Sequence, residues 1–210
     1  MYRFLSIFNQ PNIFSKRGHK KRNITPKALA QLEIEYTDGT RKIVVTDKNW
    51  QATQQGPLRR SSLYDGEMFD ANFSLKNNNA NWHEPQYETE NAPEKWRSVQ
   101  SLSIESDVLL EPKRHFTSKN KQVLTPVSLH KVDGKIIFDL GQNMVGVARV
   151  NLPMIEGGKL KIRFAEGINS DGSLYTKNLG SAAQEDTYIA AKSGVVEWQP
   201  QFTFHGFRYV

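Results

Sequence analysis

The segment LEIEYTDGTRKIVV, Leu32 to Val45, decides the fold class of this chain of 210 residues. Its first five positions alternate leucine, isoleucine and tyrosine with glutamate, which is the period of a half-buried strand. Asp38-Gly39 then supplies a hairpin turn before the apolar run Ile43 to Val45. The segment therefore predicts two antiparallel strands joined by a tight turn.

The same plan recurs in the second half of the chain. VSLHKVDGKIIFDL (127–140) has Asp133-Gly134 between two apolar runs, and KLKIRFAEG (159–167) alternates apolar with basic residues. No window has a convincing helical period; the nearest, TPKALAQLE (25–33), also suits the entry to a strand. Many short strands separated by turn signals predict an all-β fold of two antiparallel, jelly-roll-like β-sandwich modules.

A polar, basic and turn-rich segment, EPKRHFTSKNKQ (111–122), separates the two β-patterned halves. We therefore predict three parts: a basic N-terminal extension or remnant over residues 1–27, a first sandwich over 28–110 and a second sandwich over 111–210.

Composition narrows the function classes. The net charge of +6 is concentrated in KRGHKKRN (16–23), without the interleaved aromatics of a nucleic-acid surface, so a solvated basic loop is the better interpretation. The absence of cysteine excludes disulfides, thiol catalysis and zinc–thiolate sites. No apolar run approaches the length of a membrane span, and no signal peptide is predicted, which leaves the location open.

The sequence contains no motif of an ordinary nucleophile, metal or phosphate enzyme. The five histidines form no metal spacing, and GxSxG is absent. His205, between alternating aromatics, is predicted to be a packed, hydrogen-bonded side chain rather than a base. Carboxylates of the kind a glycosidase pairs are present, but their separation cannot be derived from sequence, and Asp171 has the neighbours of a turn residue. The carboxylates considered are Glu166, Asp171, Glu185 and Asp186.

The densest acidic cluster lies in LYDGEMFDAN (63–72). Alternation along an extended strand would place Asp65 and Glu67 on one face, and Asp70 follows closely. Such oxygen ligands suit a hard cation such as calcium, which can bridge to sugar hydroxyls. Structural hydrogen bonding at the start of a strand is the favoured alternative.

Five segments stand in a recognisable order along the chain. On these segments, which cover residues 28–210, the chain resembles bacterial α-L-rhamnosidases of glycoside hydrolase family 78. The segments are ALAQLEIEYTDGT (28–40), TDKNWQATQQGPLRRSSLYDGEMFDAN (46–72), FDLGQNMVGVARV (138–150), RFAEGINSDGSLYTKNLGSAAQEDTYI (163–189) and WQPQFTFHGFRYV (198–210).

The resemblance implies several β-sandwich domains followed by a barrel of paired α-helices. In the family, that barrel carries the general acid and base, both glutamates, and removes terminal rhamnose with inversion. This chain resembles the β part alone and has no counterpart of the barrel's acidic motifs. We therefore predict a non-catalytic scaffold, with the first sandwich incomplete, that supports a helical catalytic domain in cis or in trans, requires no cofactor and is inactive alone.

The resemblance also bears on DLGQNMVG (139–146), whose polar residues suit a catalytic loop, a sugar-binding loop or a turn. As part of such a scaffold, Gln142 and Asn143 are assigned to backbone bonding or to contact with a neighbouring domain, and His205 is also assigned to domain contact.

An alternative function is that of a free-standing, calcium-dependent rhamnose-binding module, which some family members carry in the corresponding sandwich. The partner would be a rhamnose-containing glycan, and Asp65, Glu67 and Asp70 would hold the calcium. The family commonly has arginine where this chain has Asn72. The carbohydrate-binding set is Tyr64, Asp65, Glu67, Asp70, Asn72 and Trp82.

Overall fold

The regular secondary structure of the described residues is almost all β, which confirms the predicted fold class. The computed structural model describes residues 3–8, 27–73, 76–77, 80–81, 84, 86–90, 95–103 and 119–210. Over these ranges the helical segments are two short 3-10 turns, and no helix is long and apolar enough to cross a membrane.

The strands are short and are numbered here in chain order. They are β1 (Arg3–Phe8), β2 (Ala28–Glu35), β3 (Arg41–Val45), β4 (Gln51–Ala52), β5 (Leu58–Ser62), β6 (Gly66–Asp70), β7 (Lys76–Asn77), β8 (Ala80–Asn81), β9 (Arg97–Ser98), β10 (Ser128–Val132), β11 (Lys135–Gly146), β12 (Val150–Met154), β13 (Lys159–Arg163), β14 (Gly167–Ile168), β15 (Leu174–Tyr175), β16 (Glu185–Ile189), β17 (Gly194–Trp198) and β18 (His205–Tyr209). The 3-10 helices are Ala71–Phe73 and Lys177–Leu179.

The chain consists of two compact units. The first consists of Met1–Gln54 and Glu94–Thr117, and the second of Gln55–Pro93 and Ser118–Val210. These units are defined by spatial contacts. The boundaries after residues 27 and 110 were inferred from sequence patterns, and they stay a prediction. The separating segment, 111–122, lies mostly outside the described residues.

The first unit contains an antiparallel sheet in the order β1-β2-β3. The predicted hairpin joins β2 to β3: Gly39 takes a φ of +83°, and the carboxylate of Asp38 accepts the backbone N–H of Thr40 at 2.8 Å. A positive φ at Gly39 is what the turn requires and what glycine allows without steric cost. β1, which pairs with β2 from Arg3 to Phe8, was not among the predicted strands.

The second unit builds its sheets from two separate parts of the sequence. One sheet has the order β13-β16-β6-β5, a second has β10-β11-β18, and β12 pairs with β17. The pairing of β6 with β16 is parallel, with Met68 beside Thr187, and differs from the antiparallel prediction. Parallel neighbours need a long connection, and here it runs from one half of the sequence to the other.

A hydrophobic core joins these sheets in the second unit. Ile162, Phe164, Trp198 and Phe207 are its buried members, and the ring centroids of Phe164 and Phe207 lie 4.8 Å apart. The predicted alternation of β13 is confirmed, since Ile162 is buried while the basic residues on either side are exposed. Side chains from different sheets therefore share one core, as in a sandwich.

Truncation of a core aromatic tests this arrangement. We expect Phe164→Ala to lower the free energy of unfolding by about 3–5 kcal/mol, because it leaves a cavity among fully buried neighbours. Phe204→Ala, which removes a half-exposed ring from the same unit, is the control and should cost less than about 1 kcal/mol. Urea unfolding measures both; equal losses would contradict the assigned core.

Candidate functional site

The acidic segment that the sequence singled out begins in a turn rather than in a strand. β5 ends at Ser62, whose hydroxyl accepts the backbone N–H groups of Tyr64 and Asp65 at 3.1 and 3.2 Å. β6 starts only at Gly66. Asp65 therefore precedes the strand, and the alternation expected to align it with Glu67 does not apply. Its Oδ1 instead accepts the backbone N–H of Ala183 at 3.3 Å.

Glu67 is a buried carboxylate that holds a distant backbone segment. It is 1% exposed, and its Oε2 accepts the N–H groups of Gln201 and Phe202 at 3.0 and 2.8 Å. Burial raises the pKa of the Glu67 carboxyl, and the nearby charge of Asp186 adds to the rise, while the two N–H bonds oppose it. The backbone before β18 is thus held against β6.

Asp186 lies beside Glu67 and joins three strands. Its Oδ1 accepts the backbone N–H of Glu67 at 2.8 Å and Nε2–H of His205 at 3.0 Å. The ring of His205 stacks on Phe164 with centroids 4.2 Å apart. His205 is 2% exposed, so the structure places it as a packed, hydrogen-bonded side chain, as predicted from its neighbours. The assignment of His205 to domain contact stays a prediction. Because the ring is enclosed, such a role would have to act through the residues around it.

The three ionisable groups are sealed from solvent. Asp186 is fully buried. Two atoms, Oδ2 of Asp186 and Nδ1 of His205, have no hydrogen-bond partner among the described residues. A glycosidase needs one carboxyl group that protonates the glycosidic oxygen and another that activates water or attacks the sugar, so both must reach the substrate. Neither Glu67 nor Asp186 presents such a surface. Their arrangement is suited to holding strands together, not to acid–base chemistry on a sugar.

Among the described members of the predicted carbohydrate set, Glu67 is buried and does not share an exposed surface with Tyr64. Asp70 ends β6, and its Oδ1 accepts both N–H and Nδ2–H of Asn72 at 3.0 and 2.8 Å. Tyr64 is half exposed in the turn, whereas Trp82 lies outside the described residues. Among the residues that the structure describes, no group of three or more histidine, cysteine or acidic side chains can hold a metal ion.

The segment DLGQNMVG forms an exposed bulge in the long strand β11. The register between β11 and β18 shifts between Asp139 and Met144, and Gln142 and Asn143 project from the shifted stretch as exposed residues. Gly141 takes a φ of +82°, and its N–H donates to Oδ1 of Asp139 at 2.7 Å. Bulges re-aim side chains in this way. Exposure here suits the predicted domain contact, which stays a prediction.

An ion pair that the sequence did not suggest fixes this bulge. Both oxygens of Asp139 accept N–H groups of Arg208, at 2.8 and 2.9 Å. This bidentate bond holds the pKa of Asp139 below its usual range. The only signal in the sequence is a lone arginine between two aromatic residues in HGFRYV, and it does not identify a partner 69 positions away.

Two of the other carboxylates considered, Asp171 and Glu185, have structural partners. Oδ1 of Asp171 accepts N–H and O–H of Ser173, which confirms its predicted place in a turn. Glu185 pairs with Lys161 at 2.9 Å.

Comparison with known families matches both parts of the chain. Residues 8–120 match the family described as α-L-rhamnosidase N-terminal domain, and residues 129–210 match the bacterial α-L-rhamnosidase concanavalin-like domain. A concanavalin-like domain fits the sandwich arrangement of the second unit.

The chain is similar to several α-L-rhamnosidases. It is 46% identical to one from Formosa agariphila and 42% identical to one from Alteromonas sp. strain LOR, over 89% and 88% of this chain and 19% of each relative. The solved structure of the Streptomyces avermitilis α-L-rhamnosidase, complexed with L-rhamnose, matches with a TM-score of 0.62 and 32% identity, over 88% of this chain and 17% of that one. The chain thus spans about a fifth of the length of the relatives that it matches.

The pKa of Glu67 predicts a pH-dependent effect of Glu67→Gln. A carboxyl whose folded-state pKa is raised contributes stability below its unfolded-state pKa, and this contribution is lost as the pH rises through the folded-state value. The neutral amide can still accept both N–H groups through its carbonyl oxygen. We therefore expect the stability of the variant, relative to the wild type, to increase as the pH rises above the ordinary glutamate pKa of 4.5, as measured by urea unfolding.

The control for this titration is Glu197→Gln, which changes an exposed carboxylate in β17. If both variants follow the same trend with pH, Glu67 is not the source of it.

Gly66 permits the close approach of β6 to β16. It has a φ of +90°, and an added Cβ would lie 2.3 Å from the carbonyl oxygen of Glu185. Gly157 has a similar φ of +71° but open space around it. We expect Gly66→Ala to reduce the free energy of unfolding by at least about 2 kcal/mol more than Gly157→Ala, since both share the backbone strain and only the first clashes. Thermal and urea unfolding would show the difference; similar losses would contradict the close approach.

Proposed function

We propose a function for this chain from one premise: it belongs to the family of α-L-rhamnosidase N-terminal domains. The chain acts as a non-catalytic β-sandwich scaffold for a helical catalytic domain that hydrolyses terminal α-L-rhamnosides. The observation that carries this proposal is the extent of the match, since nearly nine tenths of the chain corresponds to about one fifth of each relative. The larger part of the relatives has the room for a catalytic domain.

Two buried acidic side chains support a scaffold role. Glu67 and Asp186 are buried, and their oxygens accept hydrogen bonds from backbone and histidine N–H groups. Breaking such buried bonds is costly, so they hold the sandwich in one conformation. A rigid sandwich can position a neighbouring domain without contributing a reacting group.

The exposed bulge of β11 is the surface that we assign to domain contact. Gln142 and Asn143 offer amide donors and acceptors, while the bond between Asp139 and Arg208 fixes the backbone beneath them. Fixed polar groups can bond a partner at low entropic cost. The partner is the helical catalytic domain, in cis or in trans, and the glycan that it cleaves contains rhamnose.

The calcium-dependent rhamnose-binding module is the less favoured function. Oε2 of Glu67 already accepts two backbone N–H groups, and Asp65 and Asp70 are bonded to other parts of the backbone. The calcium set of Asp65, Glu67 and Asp70 stays a prediction. Calorimetry with rhamnose, with and without a chelator, tests it: heat that disappears with the chelator would favour the module over the scaffold.

Hydrolysis of an aryl α-L-rhamnoside tests the scaffold proposal directly. We expect no turnover by the purified chain alone, because it matches only about a fifth of each relative and its buried carboxylates, Glu67 and Asp186, cannot reach a sugar. When the part of the Formosa agariphila relative that this chain does not match is supplied in trans, we expect the chain to bind it and to raise its turnover in a saturable way. That remaining part alone is the reference.

Two variants locate the contact in the same assay. The double variant Gln142→Ala, Asn143→Ala should weaken binding to that remaining part, while Lys135→Ala, an exposed position of the same strand, should not. Turnover by the chain alone would overturn the non-catalytic role, and absence of binding in trans would count against the scaffold.

A further inference from the structure

Within the part of the chain that the structure describes, β3 is the edge strand of the sheet of the first unit. It is last in the order β1-β2-β3, and it has no second neighbour among the described residues. All five of its residues, RKIVV, are exposed, including Ile43 at 55% and Val45 at 45%. Such an edge is a template for pairing with another strand unless proline, charged side chains, a bulge or a covering loop blocks it. The two charged residues of β3, Arg41 and Lys42, both lie at its first end. β3 contains no proline, and its pairing with β2 is regular.

The hydrogen bonds to β2 determine which backbone groups of β3 point outward. Tyr36 N–H donates to the carbonyl of Thr40 at 2.9 Å, and Thr46 N–H donates to the carbonyl of Ala30 at 3.0 Å. Hydrogen-bonded pairs alternate with non-bonded pairs along an antiparallel ladder. Even-numbered positions of β3 therefore bond to β2. The backbone N–H and C=O groups that face away from β2 are those of Arg41, Ile43 and Val45.

We propose that β3 of one copy pairs antiparallel with β3 of a second copy, about a two-fold axis at Ile43. In this register the two Ile43 residues face each other as a hydrogen-bonded pair, and Arg41 faces Val45 of the second copy on either side. Three pairs use all the outward groups, giving about six backbone hydrogen bonds. The same patch serves both partners, as a two-fold interface requires.

The side chains of β3 match this register. Each basic residue faces a valine, since Arg41 lies opposite Val45 and Lys42 opposite Val44 of the second copy. Like charges directly opposite would destabilise the pairing, and this register avoids them. The two exposed Ile43 side chains meet at the axis and remove apolar surface from water. These features select a second copy of the same strand as the occupant.

Single cysteines test the register, because the natural chain has none. In a hydrogen-bonded antiparallel pair the Cα atoms are about 5.5 Å apart, within the range that a disulfide spans. Ile43→Cys should therefore give a covalent dimer on mild oxidation. The matched control is Val45→Cys, whose copies would be offset by four residues, or roughly 13 Å along the strand. It should crosslink at least about tenfold more slowly, as judged on non-reducing gels.

Sedimentation tests the association itself. The unmodified chain should dimerise as its concentration rises, and Ile43→Lys should remove the dimer by placing two ammonium groups opposite each other at the axis. Val195→Lys is the control: it introduces the same charge at an exposed position of the second unit and should leave the dimer intact. A monomer at all concentrations, or equal crosslinking of the two cysteine variants, would overturn the proposal. Capture of β3 by a strand of another protein would also appear as a monomer here. None of these outcomes depends on the scaffold function.

Discussion

One carboxylate oxygen, Oδ1 of Asp186, holds together elements from three regions of the chain. It accepts N–H from Glu67 in β6 and from His205 in β18, while Asp186 itself lies in β16. Glu67 in turn holds the backbone that leads into β18. Placing charges in a protein interior is costly unless hydrogen bonds compensate, so this arrangement persists only if the strands remain in position. The core of the second unit, the approach at Gly66 and the direction of the last strand all depend on it.

The sequence predicted the local structure well because local structure depends on neighbouring residues. Alternation identified β2 and β13, and the apolar run Ile43 to Val45 identified β3. The Asp-Gly pairs identified two hairpin turns, the second with Asp133 and Gly134 at positive φ. The parallel neighbour of β6 could not be predicted, since each strand alone has the same pattern whichever partner it takes. The predicted alignment of Asp65 with Glu67 was wrong for a related reason. Alternation assumes an extended strand, whereas Asp65 lies in the turn before β6.

The candidate site shows where residue types mislead. An acidic cluster beside an aromatic residue is typical of a sugar or calcium site, yet the same oxygens serve equally well as acceptors for backbone N–H groups. Burial distinguishes the two uses, and burial is set by the whole fold. The two uses of polar side chains are separate in this chain: enclosed ionisable side chains bond strands of the second unit to each other, while uncharged amides at the bulge of β11 are exposed.

The parallel pairing of β6 with β16 has a consequence for how the protein is made. Glu67 and Asp186 are 119 positions apart, so on the ribosome the β5–β6 hairpin emerges long before the strands that will flank it. An isolated two-stranded hairpin is marginally stable in water, and folds rich in distant contacts form slowly. The sheet of the second unit can therefore close only after β13 and β16 have been synthesised. A gene divided between residues 120 and 129, where one family region ends and the next begins, would separate two strands from their own sheet. The two family matches and the two compact units therefore divide the chain at different positions.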